Sequence, residues 1–537
     1  MSRYWGRIAA GLVLAALIAS LIAALLLSLG VASARFPGTG APARDVGHLF
    51  RTTLLQASLS TLVSIVSGIA IAWALDRVAF PGRNAFVAVL STGLVLPALV
   101  VAFGVVAVWG RAGWINDGLL ALTGARLPGT IFGLHGIVFC HLILNGALAA
   151  RVCYNRLAAM PARKLKLGRS LALGPLDRFL ALDWPAIRAA IPSLAAVIFL
   201  FCFTSFAVVL TLGGGPSNAT FEVAIYESVR LDFDPGLAAR LALIQLAICF
   251  VVIVPAAGWP LGAALIGRPP TLPHWPDHGP ARALQIATIM LAALIFGLPM
   301  LAVLAGAIAP GALATLASPA FATALATSLI VATCSAALAI ALALVLALAR
   351  ANVALIAATG VPAGWARLLI GAPAFAYLAM PALVLALGFF LLARLTGAAP
   401  DAVAPAILVL ANALLALPLA AAILGPPLER LSASTARLQR SLALSGWRRL
   451  LDIELPLIRP DLGYAAAVAF CLSLGDLGVI ALFGNADFST LPWLMYRAMG
   501  SYRSADAATV AAALLVLTVF ALLLIPRLIA GPRHVDA

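Results

Sequence analysis

Residues 169–188 read RSLALGPLDRFLALDWPAIR, and residues 440–459 read RSLALSGWRRLLDIELPLIR. The two align without a gap at an offset of 271, with ten of the twenty positions identical. The register continues downstream, where Ala195-Ala196-Val197 meets Ala466-Ala467-Val468 and Gly213 meets Gly484. Upstream, Pro97-Ala98-Leu99-Val100 and Gly104 match Pro381-Ala382-Leu383-Val384 and Gly388 at an offset of 284. A self-match of this span, in a chain of 537 residues, reads as two homologous halves.

The chain around the repeat is 64% hydrophobic and only 10% charged, with a mean hydropathy of +1.10. Soluble domains are closer to half apolar and a quarter charged, so this is the composition of a membrane protein. About 20 apolar residues at 1.5 Å rise cross a hydrocarbon core of ~30 Å. Twelve such runs are present, at 8–29, 54–75, 85–109, 131–150, 191–212, 239–266, 283–308, 321–348, 368–392, 403–424, 465–483 and 507–525. Ala32-Ser33-Ala34 resembles a leader cleavage site, but the run before it is too long for a leader and reads as an anchor helix. The fold class is therefore all-α and polytopic, with six spans per half. Because six is even, the halves enter the membrane with the same polarity, and the pathway is expected between them.

Basic residues set the orientation. With both termini cytoplasmic, 24 of the 34 Lys and Arg lie inside and 10 outside, while the acids outside the spans divide equally. The net charge of +15 thus belongs almost wholly to the cytoplasmic face, as the positive-inside tendency requires, and nucleic-acid binding is not needed to explain it. The six cysteines are scattered without a C-x-x-C pair, so neither a disulfide framework nor a metal site is indicated. The organisation reads as a first repeat at 1–266, a proline-rich linker at 267–282 and a second repeat at 283–537.

The quoted stretches lie in unusually long cytoplasmic connections, 151–189 and 428–459. Apolar residues recur there at three- to four-residue spacing, which predicts short amphipathic helices with one face free. A docking element present twice implies two copies of one partner. Its residues are Ala172, Leu173, Gly174, Leu176 and Pro185 in the first half and Ala443, Leu444, Ser445, Gly446, Trp447 and Pro456 in the second. The alternative is a basic helix that merely anchors to anionic lipid. Each loop ends in an acid, a bulky residue and proline, Asp183-Trp184-Pro185 and Glu454-Leu455-Pro456, read as a corner into the next span.

At these residues the chain resembles the permease subunits of binding-protein-dependent ABC importers, whose cytoplasmic loop follows E-A-A-x3-G-x9-I-x-L-P. The family glycine falls on Ala172 and Ala443, and the E-A-A triplet on Lys166-Leu167-Gly168 and Arg437-Leu438-Gln439, so the acidic start is lost. Residues 205–216 (SFAVVLTLGGGP) and 475–502 (GDLGVIALFGNADFSTLPWLMYRAMGSY) look like the thiamine permeases of that superfamily. The resemblance implies a fused type I importer permease in a bacterial inner membrane. It would carry thiamine or its phosphates, with a periplasmic thiamine-binding protein and two ATPase subunits that use ATP and Mg. The chain itself would bind no cofactor and catalyse nothing, in keeping with the lack of a G-x-x-x-x-G-K-[ST] loop.

Asp476 is the one acid inside a predicted span, and such a carboxylate needs a cation, water or freed backbone donors. The candidate pathway comprises Asp476, its counterpart Ser205 at offset 271, and Ser473. The fixed positive charge of thiamine would suit the carboxylate; the competing role is bonding to backbone loosened by Gly475 and Gly478. His141 and Asn145 share a face at i, i+4 and are expected to bond between helices. On the outer side, Glu222, Glu227, Arg497 and Arg503 are candidates for docking the binding protein. Two alternatives remain at this level: a fused iron(III) permease, and an ion-coupled twelve-helix carrier, whose D-R-x-G-R-R signature Asp76-Arg77 and Gly82-Arg83 match only with the wrong spacing.

Overall fold

The computed structural model describes residues 2–35, 45–93, 95–256, 275–308, 310–357, 364–441 and 446–531, and these contain helices and no strand. The first half comprises α1 (Ser2–Arg35), α2 (Val46–Arg77), α3 (Arg83–Thr92), α4 (Ala98–Trp109), α5 (Leu134–Ala158), α6 (Ala162–Ser170), α7 (Pro175–Arg188), α8 (Ile191–Phe203), α9 (Phe221–Arg230) and α10 (Pro235–Ala256). The second comprises α11 (Gly279–Ala305), α12 (Pro319–Ala357), α13 (Gly364–Ala376), α14 (Ala382–Leu395), α15 (Pro400–Ser441), α16 (Gly446–Leu474), α17 (Leu491–Gly500) and α18 (Ser504–Ala530). Among the described residues ten helices are long and apolar enough to cross a bilayer, and up to twelve if each of two bent pairs is one span. This is a multi-pass membrane protein. The sixth predicted span runs beyond Ala256 into residues outside the described set.

Several apolar runs are not single helices. The third run, 85–109, breaks before Pro97, which caps α4; its counterpart, 368–392, breaks before Pro381, which caps α14, and bends there by 103°. Proline lacks the N–H that would continue a helix and pushes the preceding residue toward extended backbone. The Pro-Ala-Leu-Val match therefore marks a helix start rather than a mid-span motif. The fifth and eleventh runs also break, after Phe203 and after Leu474, and resume as short helices at Ala207–Leu212 and Ile480–Phe483. The tenth run shows the opposite deviation: α15 continues to Ser441, so much of the second connection, predicted from residue 428, extends a spanning helix.

The halves exchange their first helices. α1 packs along α12, α13 and α14 of the second half, and α11 packs across α2 and α4 of the first. Gly104 and Gly388, matched in the repeat, are the seats. A Cβ on Gly104 would lie 2.7 Å from the Pro299 carbonyl oxygen of α11, and one on Gly388 would lie 3.2 Å from Leu25 of α1. Ser28 Oγ of α1 also donates to the Gly388 carbonyl at 3.1 Å. Small residues that let backbones approach are the usual means of helix association in lipid, where the solvent supplies no hydrophobic drive.

Candidate functional site

The first of the two repeated loops, where docking is expected, is two short helices, α6 and α7, joined by a turn. Ala172 occupies that turn with φ +50°, a left-handed conformation that favours glycine. That is the position at which the importer pattern has glycine. Gly174 then caps α7, which begins at Pro175. Leu171, Leu176 and Leu180 are exposed, Leu173 and Gly174 are half-buried, and Pro185 is exposed. In the second loop Ala443, Leu444 and Ser445 lie outside the described residues. There Gly446 opens α16 with φ +60°, and Pro456 is half-buried. Leu176 and Trp447, repeat mates at offset 271, are 69% and 75% exposed and present the same apolar face in both halves. Both loops then pass through a π turn, Phe179–Asp183 and Leu450–Glu454, again at offset 271.

The acids that close these turns do more than mark a corner. Asp183 and Glu454 are both fully buried. Asp183 accepts two hydrogen bonds from Arg77 at the end of α2, at 2.7 and 2.6 Å, and Asp76 pairs with the same guanidinium. Glu454 accepts from Arg7 of α1 at 3.0 and 2.8 Å and lies 2.7 Å from Arg449, while Arg7 also donates to the Gly446 carbonyl at 2.9 Å. A buried pair of this kind adds little net stability, yet removing one partner strands a charge. Asp76-Arg77, noted above for a carrier signature, is thus part of a clamp on the docking loop, and Arg83 bonds the Leu75 carbonyl and the Tyr154 hydroxyl. The sequence offered one signal for these clamps, an acid repeated in register, but nothing in it named the cations.

Among the pathway candidates, Asp476 is half-buried, and its carboxylate accepts from the Gly478 and Val479 backbone N–H groups at 3.1 and 3.0 Å. It thereby starts the Ile480–Phe483 turn, an Asx-type cap. Its neighbours define its place: a Cβ on Gly475 would lie 3.0 Å from Pro97, and one on Gly478 would lie 2.8 Å from Ala382. The Asp476 turn therefore rests against the broken starts of both α4 and α14, at the boundary between halves. Ser205 bonds His141 Nε2 at 2.9 Å, and His141 Nδ1 reaches Ser60 at 3.0 Å. Asn145 donates to Cys202 at 3.3 Å, so His141 and Asn145 do bond between helices. Ser473 accepts from Asn412 at 3.0 Å.

The outer candidates divide. Glu222, expected to meet a soluble partner, is fully buried and accepts from Gln245 at 2.9 Å, which corrects that assignment. The reason is that these segments fold as helices with one face packed into the protein. They are the helices α9 and α17, each anchored at its N-terminus by a hydroxyl of its own half: Thr53 accepts from the Phe221 N–H at 3.2 Å, and Ser328 from the Leu491 N–H at 2.8 Å. Glu227 is half-buried; Arg497 is exposed, and exposed Arg503 lies 3.6 Å from Asp506. Arg230 of α9 ties the halves together, donating to the Gly484 carbonyl at 2.7 Å and lying over the Trp493 ring.

The chain is 37% identical over 473 residues to the thiamine transport system permease protein of Escherichia coli (strain K12), covering 88% of this chain and 87% of that protein. The chain belongs to the thiamine transport permease family. It is also 36% identical over 538 residues to the thiamine transport system permease protein of Brucella melitensis, covering 98% of this chain and 96% of that one. A molybdenum transport system permease protein of Azotobacter vinelandii is 31% identical over 175 residues, 33% of this chain and 76% of its own length. No family model matches the chain. The similarity to members of the thiamine permease family runs through both halves, so the duplicated loops, the broken spans and the exchanged helices described above belong to a transport permease.

Proposed function

We propose that this chain is the membrane-spanning subunit of an ATP-driven importer of thiamine or its phosphates, set in a bacterial inner membrane with both termini cytoplasmic. The observation that carries this reading is its identity to thiamine permeases over nearly the whole chain, together with the two exposed apolar faces around Leu176 and Trp447. In this reading residues 1–266 and 283–537 act as two repeats joined at 267–282. Two copies of an ATPase subunit seat on α7 and on the start of α16, and those subunits, not this chain, use ATP and Mg. A periplasmic thiamine-binding protein delivers the substrate to the outer face, where Arg497 and Arg503 are exposed. Asp476, Ser205 and Ser473 lie along the route, and the Asp476 carboxylate meets the thiazolium cation as it crosses the boundary between halves.

The test is uptake in proteoliposomes holding this chain, the ATPase and the binding protein. Thiamine uptake should require ATP, continue in a protonophore and stop with vanadate. Uptake that survives vanadate and collapses with the protonophore would instead establish an ion-coupled carrier.

A further inference from the structure

Each docking loop is fastened to a helix that belongs to the opposite half, and the two fastenings use different residues. In the second half the fastening is Arg7 of α1 on Glu454 and on the Gly446 carbonyl. In the first half it is made by the end of the inter-half linker. Asp277, 5% exposed, accepts from Arg178 of α7 at 2.6 Å and from Gln285 of α11 at 2.7 Å. Arg178 also donates to the Trp275 carbonyl at 3.1 Å, and its guanidinium lies 4.6 Å from the centre of the Trp275 ring. Arg169 of α6 lies 5.7 Å from that ring, and a Cβ on Gly168 would come within 3.0 Å of it. Trp275 therefore touches both helices of the docking loop, and Asp277 joins that loop to α11. The repeat mate of Arg178 is Arg449, which turns to Glu454 within its own loop instead.

We infer that Trp275 and Asp277 form a latch that makes the first docking loop and the exchanged helix α11 move as one body. A displacement of the loop is then delivered, through the contact of Pro299 with Gly104, to the broken third span of the first half. Packed and hydrogen-bonded groups carry coupling of this kind, and Arg178, Asp277, Gln285 and α11 supply a continuous path. The latch is the first-half equivalent of the Arg7–Glu454 pair. The inference rests on the importer reading, because it presumes an ATPase that moves the loop.

The experiment uses the full chain with its ATPase and binding protein in proteoliposomes, and reads thiamine transported per ATP hydrolysed. Asp277→Ala and Trp275→Ala should leave ATPase co-purification and basal hydrolysis within about twofold of the unmutated complex, while transport per ATP falls about fivefold or more. A second variant guards against mere misfolding: Arg178→Cys with Asp277→Cys, in a Cys334→Ser background because Cys334 is the exposed native thiol among the described residues. Tying the two new thiols with a short bifunctional reagent should restore transport per ATP in the same protein that lacked it before cross-linking. Unchanged transport per ATP in Asp277→Ala and Trp275→Ala overturns the latch, and so does a loss that cross-linking fails to restore. An unmutated complex that shows no ATP-dependent uptake overturns the importer reading and this inference with it.

Discussion

The two repeated loops share an exposed face and a π turn, yet they are held by different residues. In the first, Arg77 from the same half grips Asp183, and the linker closes over Arg178. In the second, Arg7 from the exchanged helix α1 and the loop's own Arg449 surround Glu454. Arg350 stands near the end of α12 as Arg77 ends α2, but it lies 3.8 Å from Glu429 and leaves Glu454 to others. A duplicated element thus keeps the same exposed apolar face in both copies, while its buried supports are free to differ. The supports need only supply enough opposite charge to a carboxylate that has left water.

That difference can be broken experimentally, and the largest effect should come from the clamps. Arg77→Ala leaves both Asp76 and Asp183 without their shared cation and is expected to cost about 3–5 kcal/mol of stability. Arg7→Ala leaves Glu454 with Arg449 and should cost less, about 1.5–3 kcal/mol, as for a charged hydrogen bond. Denaturation of the purified protein in detergent, followed by helical circular dichroism, compares them. Equal losses would mean that the second loop depends on α1 as fully as the first depends on α2.

The exposed faces should behave alike where the supports do not. Leu176→Asp and Trp447→Asp each place a charge on an apolar docking face, and each should weaken ATPase association at least tenfold, about 1.4 kcal/mol. Co-purification at graded ATPase concentrations measures this. A loss at one position alone would show that the loops are unequal on the surface as well as beneath it.

The same contrast runs through the breaks after Phe203 and Leu474, where Ser205 bonds a side chain and Asp476 bonds backbone. Asp476→Asn retains one good acceptor and loses the charge; uptake should fall about tenfold while ATPase assembly stays normal, a change of about 1.4 kcal/mol. Ser205→Ala should change uptake less, since it removes a neutral bond to His141. Unchanged uptake in Asp476→Asn would assign the carboxylate to capping alone.

The smallest effect concerns Ala172, whose left-handed backbone costs about 1–2 kcal/mol relative to an ordinary conformation. Glycine relieves that cost but adds freedom to the unfolded chain, so Ala172→Gly should stabilise the protein by no more than about 1 kcal/mol. A thermal melt in detergent reads it. Destabilisation would show that the Ala172 methyl group contributes packing that outweighs the strain.

What the sequence determined by itself follows from interactions that composition and spacing encode directly. Transfer to lipid depends on the apolar content of about 20 consecutive residues, so a polytopic membrane protein was legible at once, though the breaks at Pro97 and Pro381 went unread as helix starts. The duplication was legible because the offset of 271 survives unbroken from Arg169 to Gly213, and with it the exposed apolar faces of Leu176 and Trp447. What only the tertiary structure decided are the long-range pairings. Arg7 meets Glu454 across 447 positions, and Arg77 meets Asp183 across 106. Hydropathy states that a helix is in the membrane but not which helices surround it, so the exchange of α1 and α11, the burial of Glu222 and the place of Asp476 between two broken spans had no signature along the chain. They are set by which surfaces fit when the helices pack, and that information is distributed over residues far apart in sequence.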